Sequence, residues 1–326
     1  MSHPKATSSH ALALTWAYPR HNKLEKSLRA AAAAWFAHKG YVCQPKKPYI
    51  LGRWDQWPQN LIDQRLEQYV ADERQIRALK GRGFPLHKYL HHGLSSQALA
   101  LNLLGPLVMN NDLEPLAVAF TSAGIPWPCG TISAEFELED RQLFHEYSGQ
   151  PTSIDLALRG DGPPLYVEVK FTEREFGACS VFTNGDCDGR NPARDHKLCY
   201  LHYIGRKYWP LLSENGFLNG PLAESPFCPL STAYQFFREV LFAVQKDGHF
   251  VLLHDARNPT FLSDGPAGPR GLWPLLTSLV PEPLREHLHT VTVQQVVAAI
   301  RASGRHDDWI GAFEAKYGLL LKGSTR

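Results

Sequence analysis

Apolar residues recur at helical spacing in several stretches of the chain. Leu24, Leu28, Ala32 and Trp35 mark one face of an Ala-rich, basic segment from Leu24 to Lys39. Leu61 to Lys80 reads as a second helix, charged almost throughout. Leu94, Ala98, Leu101 and Leu104 mark a buried helix over Leu94 to Met109, capped by Ser95 or Ser96 and bent or ended at Gly105-Pro106. Tyr234, Phe237, Leu241 and Val244 give Ser231 to Lys246 a core face, with Gln235, Arg238 and Glu239 turned elsewhere. Other segments alternate, as strands do. Ile132, Ala134, Phe136 and Leu138 alternate with Ser133, Glu135, Glu137 and Glu139. Ile154, Leu156 and Leu158 alternate with Ser153, Asp155 and Arg159. Leu165, Val167, Val169 and Phe171 point one way, and Tyr166, Glu168 and Lys170 the other. Phe250 to Leu253 is a short buried strand ending at His254-Asp255. From Leu94 onward the order is helix, strand, strand, strand, helix, strand.

A Gly/Pro turn after Asp161 folds the second and third strands into a hairpin, which brings Asp155 beside Glu168 and Lys170. Two carboxylates on one sheet face repel and raise each other's pKa. A divalent cation removes the conflict, because oxygen ligands suit Mg²⁺. The plainer reading is a solvated strand face that happens to carry a Glu and a Lys.

At 326 residues the chain is long enough for one decorated domain or two small ones. Its 44% apolar and 20% charged content is that of a soluble globular protein. The net charge of +2 is close to neutral, so nucleic-acid binding has to come from local basic patches. One such segment holds Lys80, Arg82, His87, Lys88, His91 and His92. It is either a solvated loop or a phosphate-contacting surface. No apolar run is long enough to span a bilayer, and Met1 to Arg20 lacks the pattern of a signal peptide. A cytoplasmic location away from membranes is the expectation. Six cysteines in a chain of this length do not make a disulfide scaffold.

Asp155 followed by Glu168-Val169-Lys170 resembles the signature of the PD-(D/E)XK nuclease superfamily, with Ile154 where many members carry Pro. The order of elements matches the restriction-endonuclease-like α-β-β-β-α-β core of that fold, an α/β class with a central mixed sheet flanked by helices. Tyr234-Gln235-x-x-Arg238 resembles the helix that follows the catalytic strands in many members. Four segments further resemble a bacterial family labelled as restriction endonucleases. They are His92 to Asn102, Pro151 to Asp155, Glu168 to Gly177 and Tyr234 to Arg238, and the resemblance spans roughly residues 85 to 256.

The resemblance implies a metal-dependent nuclease acting on DNA, an endonuclease in preference to an exonuclease, in restriction, phage defence or repair. Asp155, Glu168 and the Val169 carbonyl would hold Mg²⁺, with Mn²⁺ an acceptable substitute, and Lys170 would orient or help deprotonate water. Gln97 would touch the metal's water shell, and Gln235 and Arg238 would position phosphate. Glu135 and Glu137 either extend the acidic site or sit on a solvent-facing strand edge. Glu173 and Glu175 read as a surface cluster more than a second shell. Some nucleases of the superfamily carry an iron–sulfur cluster on four cysteines, and here Cys179, Cys187, Cys199 and Cys228 lie between the Lys170 strand and the Tyr234 helix. Their spacing matches no common zinc or cluster pattern, so ordinary buried thiols are favoured over structural zinc or an iron–sulfur cluster. Cys43 and Cys129 read as core residues.

The expected layout is a disordered tail over 1–20, a basic helical extension over 21–90, a nuclease core over 91–256 with a cysteine-containing insert (177–230), and a linker with helices over 257–326. Thr292-x-x-Gln295 is a capping box opening one C-terminal helix, and Trp309 to Tyr317 forms another, stopped by Gly318. A homodimer is compatible with the sequence. Two rival readings stay open. One is a catalytically inactive nucleic-acid-binding module on the same fold. The other is an unrelated α/β protein with a fortuitous Glu-x-Lys.

Overall fold

The alternating segments join in one five-stranded sheet, seen in a computed structural model that describes residues 21–261, 264–265, 268–269 and 271–319. The tail read as disordered, residues 1–20, lies outside the described residues, as does part of the Pro/Gly-rich linker. The strands are β1 (Cys129–Glu139), β2 (Ser153–Asp161), β3 (Leu165–Lys170), β4 (His249–His254) and β5 (Leu288–Thr292), in that spatial order. β1, β2 and β3 pair antiparallel, whereas β3–β4 and β4–β5 are parallel. Every residue of β3 is buried, as expected for a central strand covered on both faces.

Two apolar layers enclose the sheet. On one face Leu156, Leu158, Val167, Val169, Val251 and Val291 meet the helices α1 (His21–His38), α2 (Arg65–Leu79), α3 (Ser96–Met109) and α4 (Glu114–Ser122). On the other, Ala157, Tyr166, Phe250 and Leu252 meet α5 (Leu230–Gln245), whose Phe236, Phe237, Val240 and Leu241 are fully buried. Two C-terminal helices, α6 (Val293–Ser303) and α7 (Asp307–Tyr317), complete the first layer. The order α3, β1, β2, β3, α5, β4 is the restriction-endonuclease-like core, with α4 added between α3 and β1.

Several local expectations change. α1 buries Phe36 in place of Trp35. α3 continues through Gly105-Pro106 to Met109, with Ser95 capping its start by accepting the Ala98 N–H. Gly105 is needed there for closeness: a Cβ would lie 2.4 Å from a Leu66 methyl of α2. The C-terminal segment supplies a strand as well as helices, because Leu288–Thr292 pairs with β4 and extends the sheet. That run contains His289, Thr290 and Thr292, and so gives little apolar signal on its own. The Thr292–Gln295 capping box and the left-handed Gly318 that closes α7 form as read. Cys43 is half-buried and Cys129 exposed, so neither belongs to the core.

Candidate active site

The register of the sheet lines up three carboxyls. β1 and β2 pair Phe136 with Leu156 and Leu138 with Ile154, so Glu137 stands opposite Asp155. β2 and β3 pair Leu156 with Val167, and the same register continued by one residue sets Asp155 opposite Glu168. Cross-strand neighbours of this kind are close enough to interact. Glu137 adopts φ 50°, which breaks the backbone ladder at that point and turns its side chain inward. Asp155 replaces a ladder bond with a side-chain bond: its Oδ2 accepts the Val169 N–H at 2.7 Å.

Lys170 closes one end of the row. Its ammonium donates to Glu168 Oε1 at 2.7 Å and to Gln235 Oε1 at 2.6 Å. Gln235 Nε2 donates in turn to Glu168 Oε1 at 2.7 Å. Gln235 is presented by the first turns of α5, and Glu239 lies one turn further on the same helix face. Glu239 is buried with one carboxyl oxygen lacking any hydrogen-bond partner, and the same is true of Glu168 Oε2. At the other end Glu137 accepts from Gln97 Nε2 at 2.6 Å and from the Ser153 hydroxyl at 2.8 Å. Gln97 also receives the His87 N–H and donates to the Pro85 carbonyl, which pins the basic loop to the acidic row.

Acid groups so confined resist ionisation. Burial, then the charges of Glu168 and Glu137, holds the Asp155 carboxyl well above its usual range. Burial and then Glu168 do the same to Glu239. Burial with added repulsion from Glu168 pushes Glu137 up to about 7, against the hydrogen bonds from Ser153 and Gln97. Burial works against the Lys170 charge too, but Glu168, Glu239 and Glu173 outweigh it and keep the ammonium above its ordinary range. The site therefore carries more acid than its one lysine neutralises.

The expected residues Asp155, Glu168, Lys170 and Gln235 come together, and Gln97 reaches them through Glu137. Other expectations need correcting. Arg238 turns away from the site: it donates to Thr152, stacks over Tyr234 at 4.5 Å and sits 3.6 Å from the buried Glu146. Glu137 is no solvent-facing edge residue, whereas half-exposed Glu135 is, bonded to Arg82 and Arg159. Glu239 does not face away but joins the acidic cluster. Its signal was its position four residues after Gln235 among the apolar residues of the core face. Glu173 caps its own strand end by accepting the Phe171 N–H, and Glu175 is exposed.

Oxygen donors of this kind suit a hard divalent cation. Among the described residues no three His, Cys, Asp or Glu side chains stand ready-grouped around one ion. The expected set needs only two carboxylates and a backbone carbonyl, and the unpartnered buried Glu168 Oε2 is the kind of oxygen a cation takes up. The residues present thus fit the group. No helix among the described residues is long and apolar enough to cross a membrane.

Comparison with known proteins returns one family. The model of the family described as "Restriction Endonuclease associating with ARP" matches residues 29–318. No curated protein and no solved structure matches the chain.

Proposed function

The chain belongs to this restriction-endonuclease family, and on that premise we propose that it is a divalent-metal-dependent nuclease that cuts DNA internally. The row Glu137–Asp155–Glu168 on three adjacent strands, closed by Lys170, carries the reading. Asp155, Glu168 and the Val169 carbonyl are the ligands we assign to Mg²⁺ or Mn²⁺. The Val169 N–H already points at Asp155, and the carbonyl of a strand residue lies on the same edge as its N–H. A bound ion supplies Lewis-acid activation of water and relieves charge on the phosphate.

The chain's own residues do the rest. Two of the three Lys170 N–H donors are held by Glu168 and Gln235, which leaves one for the attacking water or a phosphate oxygen. Because Lys170 stays charged at neutral pH, it orients that water and offsets negative charge, and does not act as the base. Gln235 fixes the ammonium and Glu168 in one geometry. Gln97 holds Glu137 and the His87 loop together, so the basic loop flanks the chemistry. The family description also names ARP, and we extend that association to this chain.

Supercoiled plasmid should be nicked or linearised with Mg²⁺ and left intact with EDTA. An intact plasmid in both cases, with DNA still bound, indicates the inactive binding module instead. Lys80 and Lys88 are exposed, and Arg82 is shared with Glu135. Replacing all three with Ala is expected to weaken binding equally across DNA sequences. It should also lower the slope of log K against log salt by about one for each phosphate that is no longer neutralised. An unchanged slope would return this segment to a plain surface loop.

A further inference from the structure

Two aromatic rings stand out of the surface beside the acidic row. Trp54 is 41% exposed and Tyr89 46%, whereas Trp57, one helical turn after Trp54, packs against the core. Trp54 Nε1 donates to the His87 carbonyl at 3.4 Å, and the Tyr89 ring lies 5.3 Å from that of His87 and 4.9 Å from that of His92. The loop that carries Tyr89 touches the row itself. Gln97 accepts the His87 N–H and donates to Glu137, and Glu173, just past Lys170, is close enough to act on the His87 charge. The frame under the rings is fixed. Buried Asn60 donates to the Leu90 and His92 carbonyls at 2.7 Å each. A small hairpin, Cys43–Gln44 and Lys47–Leu51, is strapped to the same loop. Its Leu51 N–H donates to the His91 carbonyl at 3.2 Å, and the Gly93 N–H to its Tyr49 carbonyl at 2.9 Å.

Charge around the rings is one-sided. Residues 41–62 and 80–97 contain Lys46, Lys47, Arg53, Lys80, Arg82 and Lys88. Their one carboxylate is Asp55, which Arg53 already holds at 2.9 Å. Lys46, Lys47 and Lys88 are exposed, and the Lys88 ammonium sits 4.9 Å from the centre of the Tyr89 ring. In a chain of net charge +2 this is a local concentration of cations, which draws a phosphate backbone. The rings add something that a duplex cannot use, because paired bases already stack on their neighbours. An unpaired base has a free face, and aromatic side chains among cations take such faces whatever the sequence.

We propose that Trp54 and Tyr89 stack unpaired bases while Lys46, Lys47 and Lys88 hold the adjoining phosphates, so that the substrate is DNA with a single-stranded stretch. The proposal deepens the nuclease reading and rests on it for the cut. A strand seated on this loop lies next to the acidic row, because Gln97 is bonded to both. A fully paired duplex meets the same cations but leaves the two rings uncovered. Because the backbone beneath the rings is already braced by Asn60 and the hairpin, little order has to be gained on binding.

Binding is measured on the full-length protein in EDTA, so that no cleavage intervenes. Trp54→Ala and Tyr89→Ala should each weaken a thymidine oligonucleotide by about fivefold or more, the effect of one lost stacked base, and leave a blunt duplex unchanged. The slope of log K against log salt should stay at its wild-type value in both, since a stacked ring neutralises no phosphate, whereas Lys46→Ala with Lys47→Ala should lower it. Trp54→Phe and Tyr89→Phe keep a ring and should keep most of the affinity. Tyr203→Ala, which removes an exposed ring of the 177–230 insert, should change nothing. With Mg²⁺, a duplex containing a mismatched bubble should be cut faster than the same duplex fully paired, and equal rates would overturn the substrate assignment. Alanine variants that bind the oligonucleotide as wild type does would also overturn it and leave the rings to a protein partner. Loss of oligonucleotide and duplex binding alike would overturn it too. Ring-dependent binding in a protein that cuts no DNA with Mg²⁺ would sink the nuclease reading and leave the single-strand site standing.

Discussion

Asp155→Asn is expected to abolish DNA cleavage, by at least about a hundredfold, while the protein stays folded and still binds DNA. The amide oxygen can accept the Val169 N–H that Asp155 Oδ2 accepts now, so the join between β2 and β3 survives. One acid charge leaves a site where Glu137 and Glu168 already repel it, so thermal stability without metal should rise. What is lost is the charge a cation needs, and calorimetry with Mg²⁺ should show no binding heat. Lys170→Ala should abolish cleavage as completely for another reason. Metal ligands remain and the binding heat persists, but the water loses its positioning group. This variant also strands Glu168, buried and short of its partner, so it should be less stable until Mg²⁺ is added. If both variants cut at the wild-type rate, the active site lies elsewhere on the molecule.

Metal-free protein should lose the stability its buried carboxyls hold as pH rises, Glu137's share going between about pH 4.5 and 7, and Mg²⁺ should restore it. A carboxyl whose pKa is higher folded than unfolded favours the fold while protonated. Its contribution is complete below the unfolded value and is lost as pH climbs through the folded one. Glu137 moves from 4.5 to about 7, which corresponds to about 3 kcal/mol once it is ionised in the folded state. Asp155 and Glu239 shift in the same direction. Two half-buried histidines work oppositely at lower pH: partial burial and neighbouring histidines push His92 and His289 down to about 4, so they weaken the fold in acid. Those histidines are neutral both folded and unfolded only above about pH 7.5, so below that their rising contribution offsets part of the carboxyls' loss. A cation prefers ionised ligands, so Mg²⁺ should raise the melting temperature by several degrees at pH 8 and little at pH 5. Glu137→Gln should flatten the metal-free slope. A melting temperature indifferent to Mg²⁺ at pH 8 would count against the cation site.

Much of this was legible in the order of residues. Alternation around Asp155 and Glu168-Val169-Lys170 has a period of two, and a short Gly/Pro turn leaves a hairpin little freedom of register. That placed Asp155, Glu168 and Lys170 on one patch. The helical period of Ser231 to Lys246 located α5, and the Thr292–Gln295 box located the start of α6, because caps are local chemistry. Elements with weak local patterns were missed. β5 carries few apolar residues and becomes a strand because β4 presents an open edge to it. Gly105-Pro106 reads as a bend or an end, yet the helix runs through it to Met109, with Gly105 packed close against Leu66.

Side-chain direction was the other blind spot. Glu137 sits in a polar alternation that reads as solvent-facing until a left-handed kink turns it inward to Gln97 and Ser153. Arg238 shares a helix with Gln235, yet Gln235 lies against Lys170 while Arg238 stacks on Tyr234 and reaches Thr152. The four cysteines follow no recognisable spacing, and only the folding of the insert brings them to one cavity. The sequence by itself determined the order of the core elements and the hairpin carrying Asp155, Glu168 and Lys170, since periodicity and turns act over a few residues. Tertiary structure alone decided the fifth strand, the buried Glu137 and Glu239, and the gathering of the cysteines, because each depends on partners distant along the chain.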